Sequence, residues 1–330
     1  MKLSILDQAP ISSGQTAADA LQTAVELAQL GDRLGYSRYW IAEHHDLFGL
    51  ACSNPNVMLG LLGAKTEQIR IGAGAVLLPY YKAFQVAETY NLLATLFPGR
   101  IDLGLGRAPG GSAEVSLALT DNYLEEVNKF PAKVKELQQF LRGKTPDEPL
   151  YATISPTPIP DIRPEMWILG TSSKSAVLAA ELGIPYSFGH FMTSENGPKI
   201  VESYRKEYKS TNGEDPYVIA AVEVICADTT EEAERIAMST VLWKIRQDKQ
   251  MNQLTVPDIM EAENYPFSEE EMARIKKIKQ NMVIGNPEEV KEKMTLLQKQ
   301  YEADEWMVVT ITHDPIAKFR SYELLKEAFI

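Results

Sequence analysis

The feature that most constrains this chain is a repeated couplet. A short run of apolar residues, with no polar alternation, is followed by a longer stretch with helical periodicity. A strand that is apolar on both faces needs cover on both, which a parallel sheet under helices supplies. Such runs recur near residues 4, 40, 72, 103, 168, 186, 221 and 308. Lys2–Leu6, Tyr39–Ala42, Ile69–Leu78 and Ile101–Leu105 alternate with helical patterns at Thr16–Leu34, Asn56–Lys65 and Gln85–Leu96. The rhythm resumes with strands at Trp167–Leu169, Pro185–Phe188, Tyr217–Cys226 and Glu305–Ile311, and helices at Ser173–Leu182, Lys199–Tyr208, Glu231–Ile245, Pro287–Tyr301 and Ile316–Phe329. Eight parallel strands alternating with helices predict an α/β protein, a closed (β/α)8 TIM barrel. A doubly wound open sheet is the second solution. Residues 1–330 are expected to form one domain with two insertions. One, about 108–165 after strand four, holds a Gly/Pro loop, a helix over Tyr123–Leu141 and a proline-rich stretch. The other, about 247–281 after strand seven, is polar and carries a charged helix at Glu269–Gln280.

Composition narrows the partners. Lys and Arg number 33 against 45 Asp and Glu, for a net charge of −12. That acidity opposes binding to a phosphate backbone, so nucleic acid is not an expected partner. Cys52 and Cys226 stand far apart and outside any Cys-x-x-Cys, which fits a reducing compartment. The N-terminal apolar run is broken at Asp7, and no stretch approaches a membrane span. A soluble cytoplasmic protein is the expectation.

In a (β/α)8 barrel the chemistry sits at the C-terminal ends of the strands. That rule selects Glu43, His44 and His45 after strand two, Gly74 to Leu78 at strand three, and Gly106 and Arg107 after strand four. It also selects Gly170 to Ser175 after strand five, Phe188 to Phe191 after strand six, and Thr312 and His313 after strand eight. All four histidines fall at strand ends, where each is either catalytic or a rim-packing residue. His44 and His45 are adjacent and, if extended, point apart, so they are poorly placed to hold one metal ion. No metal site is expected, and a barrel metallohydrolase is disfavoured. Gly170, Thr171, Ser172 and Ser175 join a strand to a helix start, where free N–H groups and hydroxyls favour an anion. Arg107 is either a fork for phosphate or one half of a rim salt bridge to Glu43 or Asp102. The run Gly72-Ala73-Gly74-Ala75 either lets a flat ring approach the backbone or only eases packing. Together these residues suit a flat, phosphorylated ligand at a barrel mouth.

At these positions the chain resembles the bacterial luciferase-like flavin monooxygenases. The likeness is carried by Trp40-Ile41-Ala42-Glu43-His44-His45, by Asn54-Pro55, by Ile71 to Pro79, by Ala87 to Leu93, by Gly99 to Arg107 and by Gly285-Asn286-Pro287-Glu288-Glu289-Val290. The resemblance implies FMN at the barrel mouth. It places the phosphate on Arg107, Thr171, Ser172 and Ser175. The isoalloxazine ring would lie on the bulge at Gly74 and Ala75, beside Ala73, often formed through a non-proline cis peptide. Glu43 and Glu88 match acidic residues near that ring, and His44 matches the catalytic histidine. Phe188, His190 and Phe191 are expected to wall the substrate. Gly106 stands where the luciferase subunit has a reactive cysteine, so light emission is not expected. The implied activity is that of a two-component monooxygenase. A separate flavin reductase supplies reduced FMN, dioxygen adds to form a flavin hydroperoxide, and a small organic substrate is oxidised. A deazaflavin-dependent oxidoreductase and a flavin-binding protein without turnover are the alternatives. A homodimer through the helices at Asn56–Lys65 and Gln85–Leu96 is also implied.

Overall fold

Why the apolar runs become strands is visible in what covers them. In the computed structural model, which describes residues 1–143, 151, 153–193, 196–211, 213–249 and 255–329, each run is sealed by helices outside and by its neighbours inside. The strands are β1 (Lys2–Asp7), β2 (Arg38–Ile41), β3 (Arg70–Leu77), β4 (Ile101–Gly106), β5 (Glu165–Gly170), β6 (Tyr186–Gly189), β7 (Val218–Cys226), β8 (Met282–Gly285) and β9 (Glu305–Val309). All their pairings are parallel. β1 through β7 and then β9 close a ring, with β9 paired to both β7 and β1. The fold is a (β/α)8 barrel.

Three differences from the sequence expectation stand out. β8 is an additional strand, in the short stretch between the second insertion and the helix at Pro287, where no strand was expected. β7 runs past the rim, and Met282–Gly285 pairs with that overhang at Glu223–Cys226. The single helix expected over Tyr123–Leu141 is two, α5 (Tyr123–Asn128) and α6 (Phe130–Leu141), hinged at Lys129 with Pro131 in the first turn of the second. A further short helix, α4 (Ala113–Leu119), precedes them. Of the proline-rich stretch, residues 145–150 and 152 lie outside the described residues, as do 250–254 of the second insertion.

The helices around the ring are α1 (Ala17–Leu34), α2 (Pro55–Lys65), α3 (Ala83–Leu96), α7 (Ser173–Leu182), α8 (Gly197–Glu207), α9 (Thr230–Asp248), α12 (Pro287–Tyr301) and α13 (Pro315–Ala328), with α10 (Ile259–Asn264) and α11 (Glu269–Gln280) between α9 and β8. Their starts are written locally. Thr16 and Asp19 form a capping box on α1, and Ser268 and Glu271 another on α11. Gly35 closes α1 in the left-handed region at φ 71°.

Strand alternation divides the barrel interior into layers. At the N-terminal end Arg38 reaches Asp102 at 2.8 Å, Glu165 at 3.0 Å and Glu305 at 3.2 Å, and stacks 4.6 Å from the Trp167 ring. Asp102 also takes Arg70 and the Trp40 indole N–H, the latter at 2.9 Å. These charges satisfy one another, as buried charges must. A Cβ on Gly72 would come within 2.7 Å of Asp102 Cβ, so this glycine belongs to packing. Above lies an apolar layer of Leu6, Trp40, Trp167, Ile219 and Met307. These two layers close the barrel floor among the described residues, and the barrel interior opens at the C-terminal mouth.

Candidate active site

A cavity of about 460 Å3 opens at that mouth, lined from the ends of β1 through β6. One end is built for an anion. Ser172 caps α7, and Ser175 Oγ donates to the Ser172 carbonyl at 2.7 Å and lies 3.1 Å from the Tyr186 hydroxyl. A Cβ on Gly170 would collide with Ser175 Oγ, so only glycine admits this turn. Gly170, Thr171, Ser172 and Ser175 all line the cavity, with Arg107. The Arg107 backbone is held by the Tyr123 hydroxyl on its carbonyl at 2.7 Å. Its guanidinium meets no carboxylate among the described residues. Both partners weighed from the sequence are engaged elsewhere: Asp102 by Arg38 and Arg70 at the barrel floor, Glu43 by the groups named below. A guanidinium without a carboxylate partner among the described residues, beside a helix N-terminus and the hydroxyls of Thr171, Ser172 and Ser175, is a cradle for a phosphate.

The middle of the cavity has almost no side chains. Gly74 and Ala75 line it across a cis peptide bond, at the point where the β3–β4 register shifts, and Gly106 lies alongside on β4. This is backbone presented as a flat wall.

Glu43 and His44 line the other part. Glu43 is buried, and its Oε2 accepts the Leu77 N–H at 3.0 Å. Its Oε1 accepts the Tyr81 hydroxyl at 2.7 Å and lies 2.8 Å from His45 Nε2. So Glu43 is held as an acceptor by its own protein. His45 lies outside the cavity lining and packs edge-on against Tyr80. His44 Nδ1 is buried without a hydrogen-bond partner. Burial, then the neighbouring His45, pushes the His44 pKa down to about 4, so its ring is neutral near pH 7. Among the described residues no three His, Cys, Asp or Glu side chains gather as a metal site.

A family model described as luciferase-like monooxygenase matches residues 1–301. The chain belongs to the luciferase-like monooxygenase family. It is 43% identical over 329 residues to the uncharacterized protein YceB of Bacillus subtilis, covering 99% of each chain. It is 38% identical to the N-acetyl-S-alkylcysteine monooxygenase of the same organism, over 100% of this chain and 98% of that one. Among solved structures, apo-MsnO8 superposes with a TM-score of 0.90 at 34% identity, covering 99% and 98% of the two chains. The oxygenating constituent of the 3,6-diketocamphane monooxygenase of Pseudomonas putida, solved with FMN, shares the fold at a TM-score of 0.71 and 18% identity, covering 99% and 97%.

Several residues that the sequence reading placed at the site lie outside the cavity lining. Glu88 sits on α3 in the outer layer, away from the cavity lining. The Ala73 side chain faces the core between strands and helices, while Gly74, Ala75 and Leu77 of β3 line the cavity. Phe188 is fully buried in that same core, 5.7 Å from the Tyr301 ring. His190 is buried with its Nδ1 2.8 Å from the Tyr301 hydroxyl. Of the three residues expected to wall the substrate, Phe191 alone lines the cavity, beside Met192. His313 contacts Ser13 rather than the cavity lining. Sequence reasoning missed Leu6, Gln8, Leu169 and Met192. Gln8 follows the end of β1, so the strand-end rule could have found it. The leucines carry no signal beyond their hydrophobicity.

Proposed function

We propose that this family member is a two-component monooxygenase. Reduced FMN from a separate flavin reductase and dioxygen would oxidise a small organic substrate. The observation that carries the reading is one continuous cavity that joins Arg107, without a carboxylate partner among the described residues, at a helix N-terminus, a wall of glycine and alanine, and a neutral imidazole. The residues fit FMN on their own chemistry. Arg107, Thr171, Ser172 and Ser175 would hold its phosphate, and Gly170 keeps the backbone close. Gly74, Ala75 and Gly106 would flank its ring.

When bound, reduced FMN supplies the electrons that activate dioxygen. The chain's residues do the rest. Leu6, Leu169 and Phe191 make an apolar surround that excludes water from the reacting atoms. His44 would act as acid or base at the cavity through its Nδ1, which has no hydrogen-bond partner among the described residues. Glu43 holds the end of β3 in place.

A homodimer belongs to the same proposal. Val57 and Leu61 on α2, and Leu92 and Leu96 on α3, are apolar yet exposed, Val57 at 71% and Leu96 at 58%. An apolar face of this kind on a folded chain marks an association surface. No described helix is long and apolar enough to cross a membrane, and a cytoplasmic setting agrees with the two unpaired, buried cysteines.

The test is to bind photoreduced FMN without oxygen, admit air and follow the flavin spectrum by stopped flow. Reoxidation that lags well behind free reduced FMN supports the proposal. Reoxidation as fast as in buffer, with weak FMN binding, overturns it. Reduction of a deazaflavin cofactor by an alcohol in the same cavity would then identify the hydride-transfer alternative, and its absence a passive carrier.

A further inference from the structure

Gln8 stands immediately beyond β1, and its surroundings fix it firmly. The Asp7 carbonyl accepts the Ala42 N–H at 2.9 Å, and the Ala9 carbonyl accepts the Ala51 N–H at 2.9 Å. The Asp7 carboxylate is buried and takes Lys318 Nζ at 2.8 Å, the Tyr39 hydroxyl at 2.7 Å and the Ala9 N–H at 3.1 Å. Backbone bonds therefore clamp the chain on both sides of Gln8, which lines the cavity. Its carboxamide makes no hydrogen bond to the described residues. The charges around it are few. Arg107 is the one cation in the described lining, and Glu43 is the one anion, already saturated by protein donors.

We infer that the substrate is uncharged and that its polar group is hydrogen-bonded by Gln8. The inference rests on the FMN reading, because it gives Arg107 to the cofactor's phosphate. With Arg107 so engaged, a substrate carboxylate would enter a largely apolar cavity beside a buried Glu43, with no second cation in its described lining to meet it. Desolvation without a counter-charge makes that unfavourable. A neutral amide, ester or ketone meets no such penalty, and a carboxamide can both donate to it and accept from it.

Calorimetric titration of the FMN-loaded protein tests this with matched probes: N-acetyl-S-benzylcysteine against its primary amide, and phenylacetate against phenylacetamide. Each amide is expected to bind about tenfold or more tightly than its acid. Gln8→Leu should weaken the amides about fivefold to tenfold, as the loss of one neutral hydrogen bond does, while FMN affinity stays within about twofold. Gln8→Lys should bring the acids level with the amides. Acids that bind the unaltered protein as tightly as amides, a Gln8→Leu variant with the same preference, or no binding by any probe would each overturn the inference while leaving the FMN reading standing. FMN that itself fails to bind in the first titration overturns the functional reading, and this inference with it.

Discussion

Glu43 Oε2 accepts the backbone N–H of Leu77 at 3.0 Å, and this bond ties the end of β2 to the end of β3. Between those two points lies the wall of Gly74 and Ala75. The carboxylate thus sets the shape of the cavity before any ligand arrives. Replacing it by alanine orphans the Leu77 N–H and removes the acceptor of the Tyr81 hydroxyl. Glu43→Ala is expected to lose about 2–4 kcal/mol of stability in urea unfolding. Glu43→Gln, which keeps one good acceptor oxygen, should lose less than half of that. Equal losses would show that the carboxylate does not act through these bonds.

Arg107 separates the cofactor's phosphate from its ring. Arg107→Ala should weaken FMN binding about 10-fold to 100-fold, the loss of one charge-assisted pair in a half-buried site. Riboflavin, which has the ring and no phosphate, should change by no more than about threefold. Fluorescence titration with both ligands decides it. A parallel loss for the two would place Arg107 elsewhere than at the phosphate.

Gly170 has no room for a methyl group, because Ser175 Oγ occupies the space and is itself held by Tyr186. Gly170→Ala should shift the start of α7. The expected result is a loss of about 1–3 kcal/mol in stability and a drop of about tenfold in FMN affinity. Ser175→Ala in the same background should recover part of the stability but not the affinity.

His44 gives stability a pH dependence with a definite sign. Its pKa falls from 6.5 when exposed to about 4 in the folded protein. Between those values the unfolded chain binds the extra proton, so acid favours unfolding. His44 therefore weakens the fold progressively as the pH drops from about 6.5 towards about 4, and has no such effect above that window. Unfolding free energies from denaturant titrations across the window should fall more steeply for the unaltered protein than for His44→Gln, by up to about 1.4 kcal/mol per pH unit. Parallel curves would show a His44 that is already protonated or solvated.

Leu92 and Leu96 give the dimer its test. Leu96→Glu, alone or with Leu92→Glu, should halve the mass seen by sedimentation equilibrium and leave the far-ultraviolet spectrum unchanged. An unchanged mass would move the interface off α2 and α3.

Much of the barrel was legible because its signals are local. Strands apolar on both faces, helices with capping residues and glycines at strand ends each follow from a handful of neighbouring residues. β8 was not legible, since four residues between two helices become a strand only where the overhang of β7 offers them a partner. Phe188 and His190 fall outside the cavity lining for a related reason. β6 is four residues long, and one step along a strand turns a side chain to the opposite face. Gln8 was overlooked because glutamine at a strand end has no distinctive chemistry until a cavity surrounds it.

The sequence by itself determined that this chain closes a parallel barrel, and that its chemistry gathers where Glu43, His44, Arg107 and the Gly170–Ser175 turn emerge from the strands. Hydrophobic periodicity and turn chemistry act over a few residues, so they can be read in order along the chain. The tertiary structure alone decided which charges find partners. Arg107 had Asp102 and Glu43 within reach as candidates, and the fold gave the first to Arg38 and Arg70 and the second to Leu77, Tyr81 and His45. Ion pairing depends on distances of a few ångströms between residues far apart in sequence, and those distances exist only once the barrel has closed.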